Sequence, residues 1–348
     1  MKLWLHHTRL CYAFLLVCFL VCFLVVLPLP APVSSSGAPD SAQQTPAAAG
    51  AAQPTQSAQS PQPATSDTLR FFVTVTDRKG GFISGLSKEE FAVWEDKTQS
   101  EINYFSREAP PASIGVLIDV SGSVTPKRLS AERYAAARFI QQSYTGNEYF
   151  IGEFNTELRL LTDWTRDVMA IDKGLKRLGL ANDAAQQKPK TRGLTALYDT
   201  CAAALDKVVA GAHARRVLLL ITDGQDTKSR QSSDAVRRKI RNSDALIYSI
   251  SIEDRGFPDV ESQTALDELT LASGGRAYFI DDIKELDVVV ERLALELRQQ
   301  YVIGFNPANA ARAGKWNKVK IKVTPQNKSL KDLFARSREG YFSPATAP

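Results

Sequence analysis

The chain of 348 residues is poor in the side chains on which most catalytic metal sites and disulfide frameworks are built. It has four cysteines and three histidines, and only Cys201 and His213 lie outside the first 22 residues. A single thiol in the main body excludes an intramolecular disulfide and a cysteine zinc cluster there. A single imidazole argues against mechanisms that need several histidines, including most catalytic zinc sites.

The sequence also lacks a dense block of charge of either sign. Its formal net charge is +5, and Lys2 and Arg9 precede the N-terminal apolar run, which leaves 41 basic and 38 acidic side chains in the remainder. Proteins that follow a phosphate backbone concentrate lysine and arginine in patches or blocks. Nucleic acid is therefore not an expected partner.

The N-terminal segment 1–30 predicts export. Residues 10–27 form an uninterrupted apolar run of 18 residues without a charge. Such a run is long enough to cross a bilayer, with its basic flank in the cytoplasm. Two interpretations stay open: a cleaved signal peptide, whose apolar core is usually shorter, and an uncleaved membrane anchor. Both place the main body outside the cytoplasm, either anchored by this segment alone or, after cleavage, secreted or periplasmic.

Residues 31–67 are rich in Pro, Ala, Gln and Ser, and they are nearly uncharged. A segment with so few large apolar groups does not offset the conformational entropy lost on ordering. We therefore expect a disordered, flexible linker without a binding role of its own.

Short strands are predicted on both sides of the central part of the chain. Residues 68–109 contain three runs of strand character, and residues 301–344 contain three more. The N-terminal segment alone has too little core to be stable. We expect the two β segments to pack together as a small β-sandwich beside the central domain.

Residues 110–300 alternate between apolar strands and amphipathic helices, which is typical of a parallel sheet covered on both faces. The predicted fold class is α/β, with a doubly wound, mostly parallel sheet of the Rossmann-like kind. Thr125-Pro126 indicates the start of the first helix, because threonine caps helices and proline suits the first helical position. In that helix we expect Leu129, Ala136 and Ile140 to share a buried face.

Oxygen-bearing side chains follow two of the predicted strands and open one of the predicted helices. They are Asp119, Ser121 and Ser123 after the strand at 114–118, Thr195 at a helix start, and Asp223 after the strand at 217–221. Loops at the carboxyl ends of parallel strands form the crevice in which such folds bind ligands. Carboxylate and hydroxyl oxygens, without nitrogen or sulfur, suit Mg²⁺, with Mn²⁺ or Ca²⁺ as alternatives. These five residues are the candidate metal ligands.

Each of these pieces has a simpler interpretation when it is taken alone. Ser, Asp and Gly favour turns, so Asp119 and the two serines also fit an ordinary strand-to-helix turn. Thr195 fits a helix-start residue, and Asp223-Gly224 fits a routine turn. The metal site is favoured because three separated segments agree.

Asp119-x-Ser-x-Ser, followed by Thr195 and Asp223, resembles the metal-ion-dependent adhesion site of von Willebrand factor type A domains. Segment 112–300 resembles that fold along its length. The flanks are similar to an exported bacterial group, the von Willebrand factor A-related proteins of acidobacterial type. The similar stretches are Gly85-Leu-Ser-Lys-Glu-Glu-Phe-Ala-Val-Trp-Glu-Asp, Leu297-Arg-Gln-Gln-Tyr-Val-Ile-Gly-Phe and Arg338-Glu-Gly-Tyr-Phe-Ser-Pro. The resemblance covers residues 69–344 and brings no defined biochemical activity.

The resemblance also implies a role for each candidate ligand. The three hydroxyls would contact the ion directly, and the two carboxylates would act directly or through water. The remaining position would take water or an Asp or Glu carboxylate from a protein partner. Asp199 and Asp226 are candidates to support the ligands, although capping or surface roles suit them better.

The expected function is an exported, metal-ion-dependent protein-binding module for adhesion or scaffolding, and not an enzyme. Two alternatives stay open, a metal-independent envelope scaffold and a metal-dependent hydrolase. A phosphoryl-transfer enzyme would want another acid where Ser121 stands, and a serine hydrolase needs a Gly-x-Ser-x-Gly turn with a partner histidine. That turn is missing, and only His213 is available.

Overall fold

A computed structural model describes residues 68–180, 194–252, 259–307 and 314–343. The predicted export segment 1–30 and linker 31–67 lie outside the described residues, so both stay predictions. Within the described ranges, no helix is both long enough and apolar enough to cross a membrane.

Strands and helices alternate through the middle of the chain, and strands alone occupy its two flanks. The strands are β1 (Leu69–Thr76), β2 (Phe91–Glu95), β3 (Thr98–Ser100), β4 (Ile102–Ser106), β5 (Ala112–Asp119), β6 (Glu148–Phe154), β7 (Leu158–Thr165), β8 (Arg215–Ile221), β9 (Leu246–Ile252), β10 (Arg276–Ile280), β11 (Tyr301–Phe305), β12 (Trp316–Val323), β13 (Phe334–Arg336) and β14 (Gly340–Phe342). The α-helices are α1 (Pro126–Gln142), α2 (Val168–Lys176), α3 (Leu197–Val209), α4 (Ser233–Asn242), α5 (Val260–Ser273) and α6 (Leu286–Gln299). Short 3₁₀ turns lie at Lys88–Glu90 and Ile283–Glu285.

Six strands form the central sheet in the order β10-β9-β8-β5-β6-β7. Neighbouring strands from β10 to β6 run parallel, and β7 is antiparallel to β6. Side chains of β5 alternate between two apolar cores, with Val116 and Ile118 in one and Leu117 in the other. A strand buried on both faces needs a continuous apolar sequence, which explains the run at 114–118. The predicted α/β class with a mostly parallel sheet is confirmed.

Side-chain caps fix the starts of two helices. Thr125 Oγ1 accepts a hydrogen bond from a first-turn N–H of α1 at 3.2 Å, and Pro126 is the first helical residue, as predicted. The apolar pattern of the sequence predicts a helix over residues 264–272, whereas α5 begins at Val260, because Asp259 caps its first turn. The apolar pattern alone missed that first turn.

The remaining strands form two four-stranded sheets, ordered β13-β1-β11-β4 and β14-β12-β2-β3. Each sheet mixes strands from the two flanks: β11 lies between β1 and β4, and β12 pairs with β2. Their inner side chains share one apolar core that includes Phe71, Phe91, Tyr301 and Ile321. The flanking β-sandwich is confirmed, and neither flank alone supplies a complete sheet. The residue limits of the domains stay predictions.

A buried polar network joins the last helix to both parts of the molecule. Glu296 of α6 is buried, and its carboxylate accepts the hydroxyls of Tyr248 at 2.7 Å and Tyr278 at 3.0 Å. On the sandwich side, the carboxylate accepts Thr74 Oγ1 of β1 at 3.2 Å and pairs with Arg336 of β13. One buried carboxylate thus holds α6 against strands of the central sheet and of the sandwich.

We predict that Glu296→Ala lowers the free energy of unfolding by about 3 kcal/mol, because it leaves buried hydroxyls and a guanidinium without their shared acceptor. Urea unfolding followed by circular dichroism measures this loss. The matched control is Glu291→Ala, an exposed position on the same helix, for which we expect a change within about 0.5 kcal/mol. Equal losses in the two variants would contradict the role given to Glu296.

Candidate metal centre

The candidate ligands gather at the carboxyl end of the central sheet. Strand β5 lies between β8 and β6, with Ile118 beside Ile221 and Asp119 beside Phe154. Because these three strands are parallel, the loops that follow them emerge at the same edge of the sheet. Strand pairing therefore brings Asp119 close to Asp223.

Asp119 is fully buried, and both of its carboxylate oxygens are engaged. Oδ1 accepts the main-chain N–H of Ser121 at 2.8 Å, and Oδ2 accepts the hydroxyl of Thr222 at 2.6 Å. Burial, reinforced by the charge of Asp223, raises the pKa of Asp119 to about 6. The negative charge on this carboxylate is therefore costly at neutral pH, and a nearby cation would stabilise it.

The two serines and Asp223 form one hydrogen-bonded chain. The hydroxyls of Ser121 and Ser123 lie 3.0 Å apart, and Ser123 Oγ donates to Asp223 Oδ2 at 3.0 Å. The other oxygen of Asp223 accepts the main-chain N–H of Gln225 at 3.2 Å. With Asp119, which binds the Ser121 main chain, four of the five predicted ligands are connected by hydrogen bonds.

Thr195 reaches the same edge of the sheet through its main chain. Its N–H donates to Thr227 Oγ1 at 2.9 Å, and its carbonyl accepts the N–H of Lys228 at 2.9 Å, in the loop that follows Asp223. The next residue, Ala196, donates its N–H to the carbonyl of Asn155 at 2.7 Å, directly after β6. Thr195 is buried. Among the described residues, no hydrogen bond joins its hydroxyl to the serine–Asp223 chain, and its role as a ligand stays a prediction.

Helix α1 adds a buried ion pair that the sequence interpretation missed. Arg128 Nη1 donates to Asp223 Oδ2 at 2.9 Å, and Arg128 Nε donates to Glu132 Oε1 at 2.8 Å. The predicted apolar face of α1 is confirmed, because Ala136 lies in an apolar core of the central sheet and Leu129 and Ile140, partly buried, pack against the same core. The ion pair turns inward on the same helix. The spacing of four residues between Arg128 and Glu132 was the available signal.

The acids at this edge outnumber the bases. Asp119, Glu132 and Asp223 supply three carboxylates, and their side chains are at most 14 % exposed. Arg128 is the guanidinium that faces Glu132 and Asp223. Burial raises the pKa of Glu132 well above its ordinary value, against the opposing effect of Arg128. Because burial raises the pKa values of Asp119 and Glu132, the group holds its full formal charge of −2 only at a cost in free energy, and a divalent cation would stabilise that ionised state.

Asp199 and Asp226 have structural roles, the alternative that the sequence favoured. The two oxygens of Asp199 accept the main-chain N–H groups of Arg230 and Gln231, each at 3.0 Å. Asp226 Oδ1 accepts Ser229 Oγ at 2.5 Å. These contacts hold the loop after β8 against the start of α3. Among the described residues, no hydrogen bond joins either carboxylate to a candidate ligand.

The donor set fits a hard divalent cation. In the described ranges, no group of three or more His, Cys, Asp or Glu side chains has metal-binding geometry. The available donors are the carboxylates of Asp119 and Asp223 and the two serine hydroxyls, of which the hydroxyls and Asp223 are within hydrogen-bonding distance of one another. Oxygen donors of this kind suit Mg²⁺, Mn²⁺ or Ca²⁺ better than soft metals.

Comparison with known proteins identifies the class of domain. Residues 114–225 match the family model described as von Willebrand factor type A domain. That segment contains all five candidate ligands, and the fold around it has the expected parallel sheet. This part of the chain is therefore a von Willebrand factor type A domain. No curated protein matches the chain.

Solved structures of low identity are also similar. A von Willebrand factor type A protein from Catenulispora acidiphila is 13 % identical, with a TM-score of 0.46, over 82 % of this chain and 75 % of that one. BatB from Bacteroides thetaiotaomicron is 13 % identical, with a TM-score of 0.42, over 53 % and 98 %. Proximal thread matrix protein 1 from the mussel byssus, with a zinc-occupied MIDAS motif, is 15 % identical, with a TM-score of 0.43, over 53 % and 47 %. These identities are too low to transfer a ligand or a partner.

We predict that Asp119→Asn stabilises the protein in chelator, and more so at pH 7.5 than at pH 4.5. The folded pKa of about 6 lies above the ordinary value of 3.8. Asp119 therefore binds its proton more tightly in the folded protein than in the unfolded protein. The free energy of unfolding of the wild type falls as the pH rises between these two pKa values. The asparagine amide of the variant does not titrate, so the variant lacks this contribution to the pH dependence of stability.

Urea unfolding of both proteins at the two pH values checks this prediction. The control is Asp206→Asn, at a surface acid on α3 whose side chain is 71 % exposed. Because this variant keeps Asp119, its free energy of unfolding should fall between pH 4.5 and pH 7.5 as that of the wild type does. A stabilisation by Asp119→Asn that is the same at pH 4.5 and pH 7.5 would contradict the assigned titration.

Proposed function

We propose that this protein is an exported binding protein that uses a divalent metal ion, Mg²⁺ or alternatively Mn²⁺ or Ca²⁺, to recognise a carboxylate on a protein partner. The observation that carries the proposal is the hydrogen-bonded chain from Ser121 through Ser123 to Asp223, beside the buried carboxylate of Asp119. The export part rests on the apolar N-terminal run at 10–27.

The balance of charge supports a divalent ion. Ser121, Ser123 and Thr195 would hold it by hydroxyl oxygens, and Asp119 and Asp223 directly or through water. A divalent ion would neutralise the formal charge of −2 that the site carries when all three acids are ionised, and the raised pKa of Asp119 marks a carboxylate that a cation would stabilise. The bound ion would supply a strong electrostatic contact for an incoming Asp or Glu.

The solvent-facing side of the site fits an acidic partner. Asp119 is fully buried, whereas Ser123 and Asp223 are partly exposed, so a ligand would approach from the serine–Asp223 side. Lys127 at the start of α1 and Lys228 after Asp223 are exposed beside these two residues in the chain. Exposed lysines close to the site in the chain would favour association with an acidic group.

A serine hydrolase is a poorer interpretation than a binding module. The N–H of His213 donates to Ser113 Oγ at 2.9 Å, at the amino end of β5. Asp119 lies at the other end of that strand. The rise per residue of a β-strand places it about 20 Å from Ser113. His213 therefore lies too far from Ser121 to act as its base.

A metal-independent scaffold is the second candidate. The ion pair of Arg128 with Asp223 supports it, because the guanidinium already supplies a positive charge to that carboxylate. Under this alternative the site is a structural element, and the sandwich or another surface binds the partner. Capture of partners that is insensitive to chelator would favour it over the metal-dependent function.

We predict that the full-length chain in detergent binds about one Mn²⁺ or Mg²⁺ ion in isothermal titration calorimetry, and that Asp119→Ala abolishes this binding because it removes a buried ligand. Asp206→Ala is the control and should bind as the wild type does. Circular dichroism verifies that each variant is folded. Wild-type protein without saturable heat, or with binding unchanged by Asp119→Ala, would refute the metal-dependent function.

A further inference from the structure

Arg128 carries a permanent positive charge into the candidate metal centre. Its side chain is 5 % exposed, and Nη1 donates to Asp223 Oδ2 at 2.9 Å. The same oxygen accepts the hydroxyl of Ser123 at 3.0 Å. One oxygen of Asp223 therefore accepts hydrogen bonds both from the guanidinium of Arg128 and from the hydroxyl of Ser123, a candidate metal ligand.

Glu132 holds the guanidinium from the other side. Arg128 Nε donates to Glu132 Oε1 at 2.8 Å, and the Glu132 side chain is fully buried. Two atoms of the pair, Arg128 Nη2 and Glu132 Oε2, are buried without a hydrogen-bond partner among the described residues. A buried ion pair contributes little net stability even when it is complete, and unsatisfied buried atoms add a cost. The arrangement is thus poorly explained by stability alone.

We propose that Arg128 is a specificity-determining residue that competes with the metal ion for Asp223 and so sets the affinity of the site. This inference rests on the proposed metal-binding function. An ion drawn to Asp223 meets a carboxylate that the guanidinium already neutralises in part, so binding weakens or replaces that contact. Glu132 opposes the competition, because it attracts the guanidinium and adds negative charge.

The competition also selects for ions of higher charge. A monovalent cation gains half the Coulomb energy of a divalent cation at the same distance, and it carries no more charge than the guanidinium it must displace. A divalent ion gains enough from Asp119 and Asp223 together to offset the loss. The ion pair is therefore expected to exclude Na⁺ and K⁺ from the site.

Substitution of both members of the pair separates competition from net charge. In Arg128→Met with Glu132→Leu, one basic and one acidic group are removed, so the fully ionised site keeps the formal charge of the wild type. Apolar replacement of a buried ion pair often preserves stability. Competition predicts tighter ion binding by this double variant, whereas net charge alone predicts no change.

The experiment is Mn²⁺ titration by calorimetry on the full-length chain in detergent, with folding verified by circular dichroism. We expect the double variant and Arg128→Gln to bind Mn²⁺ at least about tenfold more tightly than the wild type, and Glu132→Gln to bind it about tenfold more weakly. Arg138→Gln is the control on the same helix, because Arg138 makes an exposed pair with Asp287; it should leave the affinity unchanged.

The outcomes separate this inference from the function on which it rests. A wild type that binds Mn²⁺ through Asp119, with a double variant that binds equally or more weakly, overturns the competition and leaves the metal-dependent function standing. A wild type that does not bind, with a double variant that does, supports competition by Arg128 and refutes metal binding by the native protein. Absence of binding in both refutes both. Where Arg128→Gln fails to fold, the double variant decides.

Discussion

Burial of negative charge at the carboxyl edge of the parallel sheet is the constraint on which this structure depends. Asp119 ends a strand that has neighbours on both sides, so its carboxylate is cut off from water. The folded chain compensates with the Ser121 N–H and the Thr222 hydroxyl. These contacts do not offset burial fully, since the pKa of Asp119 stays raised to about 6. A site with this imbalance favours an added cation.

Two buried carboxylate clusters in the same molecule differ in how well they are satisfied. Glu296 receives three hydroxyls and a guanidinium, and it fastens the last helix to the sheet and the sandwich. At the other cluster, Arg128 Nη2 and Glu132 Oε2 are buried without partners among the described residues. The first cluster has the features of a structural joint. The second leaves polar atoms of a buried ion pair unsatisfied beside the proposed metal ligands, which stability alone does not explain.

Much of the fold was predictable because it depends on local pattern. The apolar run at 114–118 identifies a strand buried on both faces, and Thr125-Pro126 identifies the start of α1. Asp119 and Asp223 were predictable as neighbours because parallel strands deliver their following loops to one edge. The sandwich followed from the small size of each flank, although its strand order did not.

The remaining features depend on contacts that no single segment encodes. Arg128 and Glu132 have the composition of a solvated helix face, since charged residues are rarely buried unless paired. Their spacing of four residues indicates an ion pair but not its burial, because Asp223, the other partner of Arg128, lies far away in the chain. The early start of α5 was missed because Asp259, a side-chain cap, lies outside the apolar pattern.

In the proposed function, three separated stretches of the chain surround one divalent ion. The anomalous scattering of Mn²⁺ from a crystal soaked in that ion would locate it. We expect a single strong peak within coordination distance of the Ser121 and Ser123 hydroxyls, with Thr195 and the two aspartates around it. A crystal without a peak there, or with a peak only at surface carboxylates, would contradict it.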